Sequence, residues 1–124
     1  MDIPQNLLYT EDHEWIKIED DSAIIGITDY AQSELGDIIF IEFPNLNTSY
    51  KAGDSIGTIE AVKTVADIYI PIDATILEVN TKLEDNPDLV NLDPYNDGWI
   101  IKIKNFNKQS NNLLTDSQYK KLIN

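Results

Sequence analysis

The chain has 124 residues, the size of one ordinary domain and enough to bury a core without cross-links. It contains no cysteine, which excludes disulfides, thiolate nucleophiles and cysteine-ligated zinc. Twenty-two acidic residues against nine basic ones give a net charge of −13, which repels phosphate backbones and anionic membranes. We therefore expect a single domain over residues 1–124 that binds neither nucleic acid nor membranes.

The N-terminal residues, MDIPQNLLYTEDHEW, lack the basic and apolar regions of a signal peptide and are acidic where a transit peptide is Arg-rich. The longest apolar runs, such as residues 38–41, are too short to span a bilayer. These features predict a cytoplasmic protein of bacterial type, with a mitochondrial location only for a processed form. The high net charge favours a monomer.

The first predicted strand is EWIKIE, residues 14–19. Its alternation places Trp15 and Lys17 on one face and Glu14, Ile16 and Ile18 on the other, as in a half-buried strand.

Six more predicted strands are short runs rich in Ile, Val and aromatic residues, separated by Gly, Pro, Asn and Asp. They are AIIGI (23–27), DIIFIEF (37–43), SIGTIEAV (55–62), VADIYIPI (65–72), TILEVN (75–80) and WIIKIKNF (99–106). Strands of this length and spacing predict an all-β sandwich or barrel. The segment between the second and third of these runs, NLNTSYKAG (45–53), is interpreted as a surface connection.

Three short helices are predicted among the strands. In TDYAQSELGD, residues 28–37, Thr28 or Asp29 can cap the first turn and Gly36 can end the helix in the left-handed conformation. DNPDLVN, residues 85–91, places a proline where a first helical turn tolerates it. TDSQYKKLI, residues 115–123, starts with a Thr/Asp cap and ends with lysines that suit the negative end of the helix dipole.

Few residues of the chain could perform catalysis. The only histidine, His13, is flanked by acidic residues and lacks a nucleophile partner, and we interpret it as a surface histidine at the start of a strand. Asp20 and Asp21 lie in a predicted turn without the ligand spacing of a calcium loop, so no metal site is predicted. The glycines lack the continuation of a phosphate-binding loop. An enzyme is therefore the least favoured class.

A single lysine, Lys63, stands between two apolar strand-like runs in IEAVKTVADIYIP, residues 59–71. A lysine at the tip of a tight hairpin would be held away from the sheet, where an enzyme could reach it. The AVKT turn lacks the Asn-Gly or Asp-Gly that specifies such a hairpin. From spacing alone, a solvated loop lysine is the default interpretation.

The sequence resembles the H-protein family of the glycine cleavage system over about residues 8–106. The matching stretches are HEW (13–15), GITDYAQSELGDIIFIEFP (26–44), IEAVKTVADIYIP (59–71), LEVN (77–80), PDLVNLDPY (87–95) and GW (98–99). The resemblance implies a mainly β fold, a barrel-sandwich hybrid of the lipoyl/biotinyl-domain type with short flanking helices and a C-terminal helix. It also implies that Lys63 carries lipoate in amide linkage.

The resemblance implies a carrier that is not itself an enzyme. In the family, a glycine decarboxylase with pyridoxal phosphate loads an aminomethyl group onto the lipoyl arm. A folate-dependent aminomethyltransferase removes the methylene with release of ammonia, and dihydrolipoyl dehydrogenase, with FAD, reoxidises the dithiol. Lipoyl- or octanoyl-transferring enzymes attach the arm, which supplies the sulfur that this chain lacks.

The resemblance also points to four acidic residues. Glu60 and Asp67 flank Lys63 at −3 and +4, similar to the acids that help lipoylating enzymes recognise the hairpin. The loaded arm of the family folds into a surface cleft, for which Glu14 and Glu34 are candidates.

At three positions the chain departs from the family. Ala61 and Thr64 stand where Ser and Ala are usual, which are small changes. Ala74 replaces a common glycine, and a positive φ there would reduce stability.

Several alternatives stay open beside the glycine cleavage carrier. A relay protein for octanoyl or lipoyl groups fits the same resemblance. A biotin carrier is disfavoured, because biotinyl lysines usually lie between methionines and Met1 is the only methionine. In an unmodified interaction module, Lys63 would simply be exposed.

Overall fold

The computed structural model describes residues 1–107 and 113–124. Within these ranges the chain forms nine strands and four short helices. The strands are β1 Leu8–Tyr9, β2 Glu14–Glu19, β3 Ser22–Ile27, β4 Ile38–Glu42, β5 Ser49–Tyr50, β6 Ser55–Ala61, β7 Val65–Tyr69, β8 Ala74–Val79 and β9 Ile101–Lys104. The helices are α1 Asp29–Leu35, α2 Lys82–Asp85, α3 Leu89–Leu92 and α4 Asp116–Ile123.

The strands form two antiparallel sheets. One has the order β1-β2-β3-β9-β8-β5 and the other the order β4-β6-β7. Their inward side chains form one buried cluster that includes Ile16 and Ile25 of the larger sheet and Ile59 and Ile68 of the smaller. Each such isoleucine contributes about 1.5–3 kcal/mol through burial. This shared core anchors the base of the β6–β7 hairpin, and therefore fixes the direction in which its tip projects.

All seven predicted strands are present, most of them with shorter bounds, and two strands of two residues were not predicted. One of these, β5, lies inside residues 45–53, so the interpretation of that segment as a surface connection is wrong for Ser49 and Tyr50. They pair with Thr75 and Ala74 of β8. Two residues are too few to show an alternating pattern.

Strand β2 is buried on both faces where it begins. The sequence predicts a half-buried strand, with only one buried face. Ile16 faces the shared core, but Trp15 is equally buried in a second cluster with Tyr9 and Tyr119. The Trp15 indole N–H donates to the carbonyl of Pro94 at 3.0 Å. This second cluster joins β2 to the C-terminal helix α4.

Helices α1 and α4 begin where the sequence predicts. The Thr28 side chain accepts a hydrogen bond from the amide of Ala31, and Thr115 forms a capping box with Gln118. Gly36 ends α1 with φ 79° and ψ −158°, a conformation with positive φ that differs from the left-handed helical one predicted. That region is accessible essentially only to glycine.

The predicted helix over residues 85–91 is wrong in its extent. Two single turns replace it, because α2 ends at Asp85 and α3 begins at Leu89, after Pro87. The Pro87 carbonyl accepts from the amide of Val90 at 3.2 Å, so the proline precedes the helix rather than opening it. A four-residue helix carries too little periodicity to be located from sequence.

Ala74 does not adopt a positive φ, so the stability cost considered for it is absent. It is buried at the start of β8 and pairs with Tyr50. The preceding turn is held instead by Asp73, whose carboxylate accepts from the amide of Ala52 at 2.8 Å.

Candidate functional site

The structure places Lys63 at the tip of the β6–β7 hairpin, in the three-residue loop 62–64. The loop is closed by the amide of Ala61, which donates to the carbonyl of Thr64 at 2.8 Å. The amide of Val62 donates to the carbonyl of Asp37 at 3.0 Å and so ties the tip to the segment before β4. Lys63 is exposed and forms no ion pair with a described residue. Its amine is therefore accessible on a tethered loop.

The side chain of Lys63 lies against the end of helix α1. A Cβ atom placed on Gly36 would come within 3.2 Å of Lys63 Cε and 3.7 Å of its Nζ. The absence of a side chain at Gly36 therefore leaves room for the lysine stem. The preceding residue, Leu35, lines a cleft between α1 and β7, so a group on Lys63 would begin beside that cleft.

This α1–β7 cleft has a volume of about 360 Å³, an apolar floor and an acidic rim. Its lining is Asp12, His13, Glu14, Ile27, Tyr30, Ala31, Glu34, Leu35, Ile59, Ala66, Asp67 and Ile68. Three of the four acidic candidates, Glu14, Glu34 and Asp67, are thus brought together. The fourth, Glu60, lies outside the cleft.

Glu14 is the buried acid of the cleft, with only 3% of its surface exposed. Thr10 Oγ1 donates to its Oε1 at 2.7 Å. Burial raises the pKa of Glu14 to about 7, and the hydrogen bond from Thr10 opposes this effect. Near neutral pH the carboxyl group is therefore partly protonated, and a cation entering the cleft would favour its charged form.

His13 belongs to the cleft wall, so its interpretation as a surface histidine is wrong. It is half-buried, has φ 68°, and packs its ring against Tyr30 with centroids 4.8 Å apart. Its Nδ1 lies 2.8 Å from the hydroxyl of Tyr119 on α4. Burial lowers the pKa of His13, and the carboxylates of Asp12 and Glu34 oppose this effect.

Glu60 lies on the outward face of the smaller sheet, paired with Phe40 of β4 and Val65 of β7. Four exposed apolar residues occupy this end of the sheet, and we call them the hairpin patch: Ile39, Phe40, Val62 and Val65. A register shift in β4 between Ile38 and Phe40 accompanies the exposure of both Ile39 and Phe40. Sequence reasoning missed this patch, although the unbroken run IIFI was its visible signal.

The described residues provide little support for a metal-binding or membrane-spanning protein. No group of their His, Asp and Glu side chains is arranged to hold a metal ion. None of their helices is long and apolar enough to cross a membrane. Asp20 and Asp21 lie in the turn between β2 and β3, as predicted.

Two facing β-sheets with a lysine at a hairpin tip define a carrier fold of the lipoyl-domain type, the predicted barrel-sandwich hybrid. The family model for the glycine cleavage H-protein matches residues 7–124, and the chain belongs to that family.

Proteins similar to this chain match it over nearly its full length. It is 50% identical to the glycine cleavage system H protein of Bacteroides thetaiotaomicron, covering 100% of this chain and 99% of the relative. Identity is 48% with the protein of the same name from Listeria monocytogenes serovar 1/2a, covering 99% of each. The crystal structure of a glycine cleavage system H protein from Mycobacterium marinum superimposes with a TM-score of 0.89, at 38% identity over 96% of this chain and 97% of that one.

Proposed function

We propose that this chain is the lipoyl carrier of a glycine cleavage system, with lipoate attached to Lys63. It moves the aminomethyl group of glycine between glycine decarboxylase, aminomethyltransferase and dihydrolipoyl dehydrogenase, in the cytoplasm and as a monomer. Those partners bring pyridoxal phosphate, folate and FAD. The observation that carries the proposal is an exposed lysine on a hairpin tip beside a cleft, in a chain of this family.

The residues around Lys63 fit a lipoyl group. Gly36 leaves the space that a Cβ would fill against the lysine stem, and the cleft that starts at Leu35 has an apolar floor. When bound, the lipoyl group supplies a reducible disulfide that can carry one aminomethyl group, which is chemistry a chain without cysteine lacks.

Apolar and acidic residues of the cleft contribute differently to holding a cationic amino group. Ile59 and Ile68 form the apolar floor and exclude water. The exposed Glu34 and Asp67 place carboxylates around the opening, and the buried carboxylate of Glu14 interacts with a cation more strongly than an exposed one would. This arrangement supports a role in retaining the cargo between partners.

Glu60 and Asp67 serve recognition by the lipoyl- or octanoyl-transferring enzyme. Both are exposed and flank the loop that carries Lys63. The hairpin patch adds an apolar contact area beside Glu60, and an apolar centre with a charged edge is the usual composition of a transient interface.

Loading distinguishes the glycine cleavage carrier from an octanoyl or lipoyl relay. The lipoylated chain is incubated with glycine and the decarboxylase, and its intact mass is followed beside a Lys63→Ala variant and a sample without glycine. We expect the mass of an aminomethyl group on the wild-type chain alone. A lipoylated chain that never gains this mass, yet passes its acyl group to another lipoyl domain, would instead be a relay.

A further inference from the structure

We propose that Tyr119, on the C-terminal helix α4, is a positioning residue of the α1–β7 cleft. Its hydroxyl holds His13 as the uncharged tautomer with the proton on Nε2, so that the cleft wall contains a hydrogen-bond donor and no cation. The consequence for the cargo rests on the function proposed above, whereas the state of His13 can be measured without it.

The hydroxyl of Tyr119 is fixed in place by its ring. The residue is fully buried, and its ring stacks on Tyr9 with centroids 4.8 Å apart and planes 8° apart. The hydroxyl lies 2.8 Å from His13 Nδ1 and 2.7 Å from Thr28 Oγ1. Three residues far apart in the chain thus form one line of hydrogen bonds that ends at the cleft.

The direction of these hydrogen bonds follows from Thr28. Its Oγ1 accepts from the amide of Ala31 as the cap of α1, and Thr28 is itself fully buried. Among the described residues, the oxygen of Tyr119 is the acceptor in reach of the Thr28 proton. Thr28 therefore donates to Tyr119, and Tyr119 donates to His13 Nδ1. The opposite direction would bury the Thr28 hydroxyl without an acceptor, which is unfavourable.

An accepting Nδ1 requires that the proton of neutral His13 lie on Nε2. This nitrogen has no hydrogen bond to a described residue and is not a buried unpaired atom, so it is open to the cleft that His13 lines. Protonation of Nδ1 would oppose the proton that Tyr119 donates. The hydrogen bond therefore favours neutral imidazole over imidazolium.

A neutral His13 is notable because carboxylates lie close to it. Asp12 in the preceding loop and Glu34 on α1 both favour the imidazolium, while Tyr30 packs against the ring. An imidazolium here would compensate the carboxylates of Asp12 and Glu34, which line the cleft, and would repel a cationic amino group. By keeping the ring neutral, Tyr119 leaves the negative charge of the cleft available to the cargo.

Nitrogen-15 NMR of the unlipoylated protein tests the state of His13, and as the only histidine it gives a single set of signals. We expect a proton on Nε2 and a pKa below the ordinary value. Tyr119→Phe keeps the stacked ring and removes the hydroxyl, so the pKa should rise and both tautomers should appear. Tyr95→Phe is the matched control, because its hydroxyl bonds to Asp29 and Asp2 instead. A wild-type proton on Nδ1, or an unchanged titration in Tyr119→Phe, would overturn the proposal.

The loaded protein tests the consequence for the cargo. We expect Tyr119→Phe to lose the aminomethyl group several-fold faster than Tyr95→Phe at pH 6, with similar rates at pH 8, where His13 is neutral in both. Equal rates at pH 6 would contradict this consequence. If the wild-type chain itself cannot be loaded, the carrier function fails, while the NMR result still decides the role of Tyr119.

Discussion

The hairpin tip and the α1–β7 cleft differ in the solvent exposure of their side chains. At the tip, Lys63 is exposed and its neighbour Val62 is 72% exposed, with backbone hydrogen bonds holding the loop. In the cleft, Glu14 is almost fully buried, and its carboxyl group accepts a hydrogen bond from the side chain of Thr10. Under the proposed function, several enzymes must reach Lys63, whereas the cleft must retain a cargo in a dry surrounding. The two regions lie on either side of Gly36.

The two regions also differ in the strength of their electrostatics. Charges on the exposed hairpin interact weakly, because water and salt screen them. The buried carboxyl of Glu14 is not screened in this way, and its pKa is correspondingly displaced. Substitution of the buried Glu14 should therefore change stability and its dependence on pH, while substitutions of the exposed acids should change modification rates.

The largest effect on stability is expected from Glu14→Gln. The pKa of Glu14 is about 7 in the folded chain and about 4.5 in the unfolded one, so the folded state binds more protons between these values. Stability is consequently lost as pH rises from about 4.5 to about 7, by on the order of 3 kcal/mol. Urea unfolding should show Glu14→Gln more stable than wild type at pH 8 and not at pH 4. The exposed Glu11→Gln is the control, and a Glu14→Gln difference independent of pH would contradict the account.

A smaller effect is expected from alanine at the two glycines with positive φ, Gly36 and Gly53. Each substitution forces a strained backbone and should cost about 1–3 kcal/mol in the free energy of unfolding. Only the Cβ at Gly36 would meet Lys63, since nothing lies within 4 Å of the one at Gly53. Lipoylation measured by mass spectrometry should therefore slow for Gly36→Ala and stay normal for Gly53→Ala. Equal lipoylation rates in the two variants would show that the contact between Lys63 and the end of α1 does not affect the modification.

The smallest effect on stability belongs to the exposed acids around the tip. Glu60→Gln and Asp67→Asn should change the free energy of unfolding by less than about 0.5 kcal/mol, as surface substitutions usually do. Each should slow lipoylation several-fold. Glu78→Gln is a matched control on the larger sheet, where Glu78 pairs with Lys102 at 3.5 Å. Wild-type lipoylation rates in both hairpin variants would contradict the recognition role proposed for Glu60 and Asp67.

The hairpin could be predicted from the family resemblance, whose evidence here is contiguous, although the AVKT turn carries no hairpin signal of its own. Lys63 lies in a specific motif of thirteen residues, 59–71, which includes the end of β6 and all of β7. The caps of α1 and α4 were equally local, since Thr28 and Thr115 act on residues one turn away.

The cleft could be predicted only in part, because it joins residues that are distant in the chain. Glu14 and Glu34 came from the family resemblance as cleft residues, whereas Asp67 was predicted for recognition by the lipoylating enzyme. His13 forms its hydrogen bond with Tyr119, 106 residues further on. The burial of Trp15 depends on the same C-terminal helix. The local pattern around HEW contains no sign of these contacts, so the sequence alone predicts a surface residue at His13.

The central claim is tested most directly by the intact mass of the chain produced in a host that lipoylates its own proteins, beside a Lys63→Ala variant. The account predicts a lipoyl or octanoyl group on the wild-type chain, mapped to the peptide that contains Lys63 and absent from the variant. An unmodified wild-type chain in that host, or a modification that persists in Lys63→Ala, would contradict it.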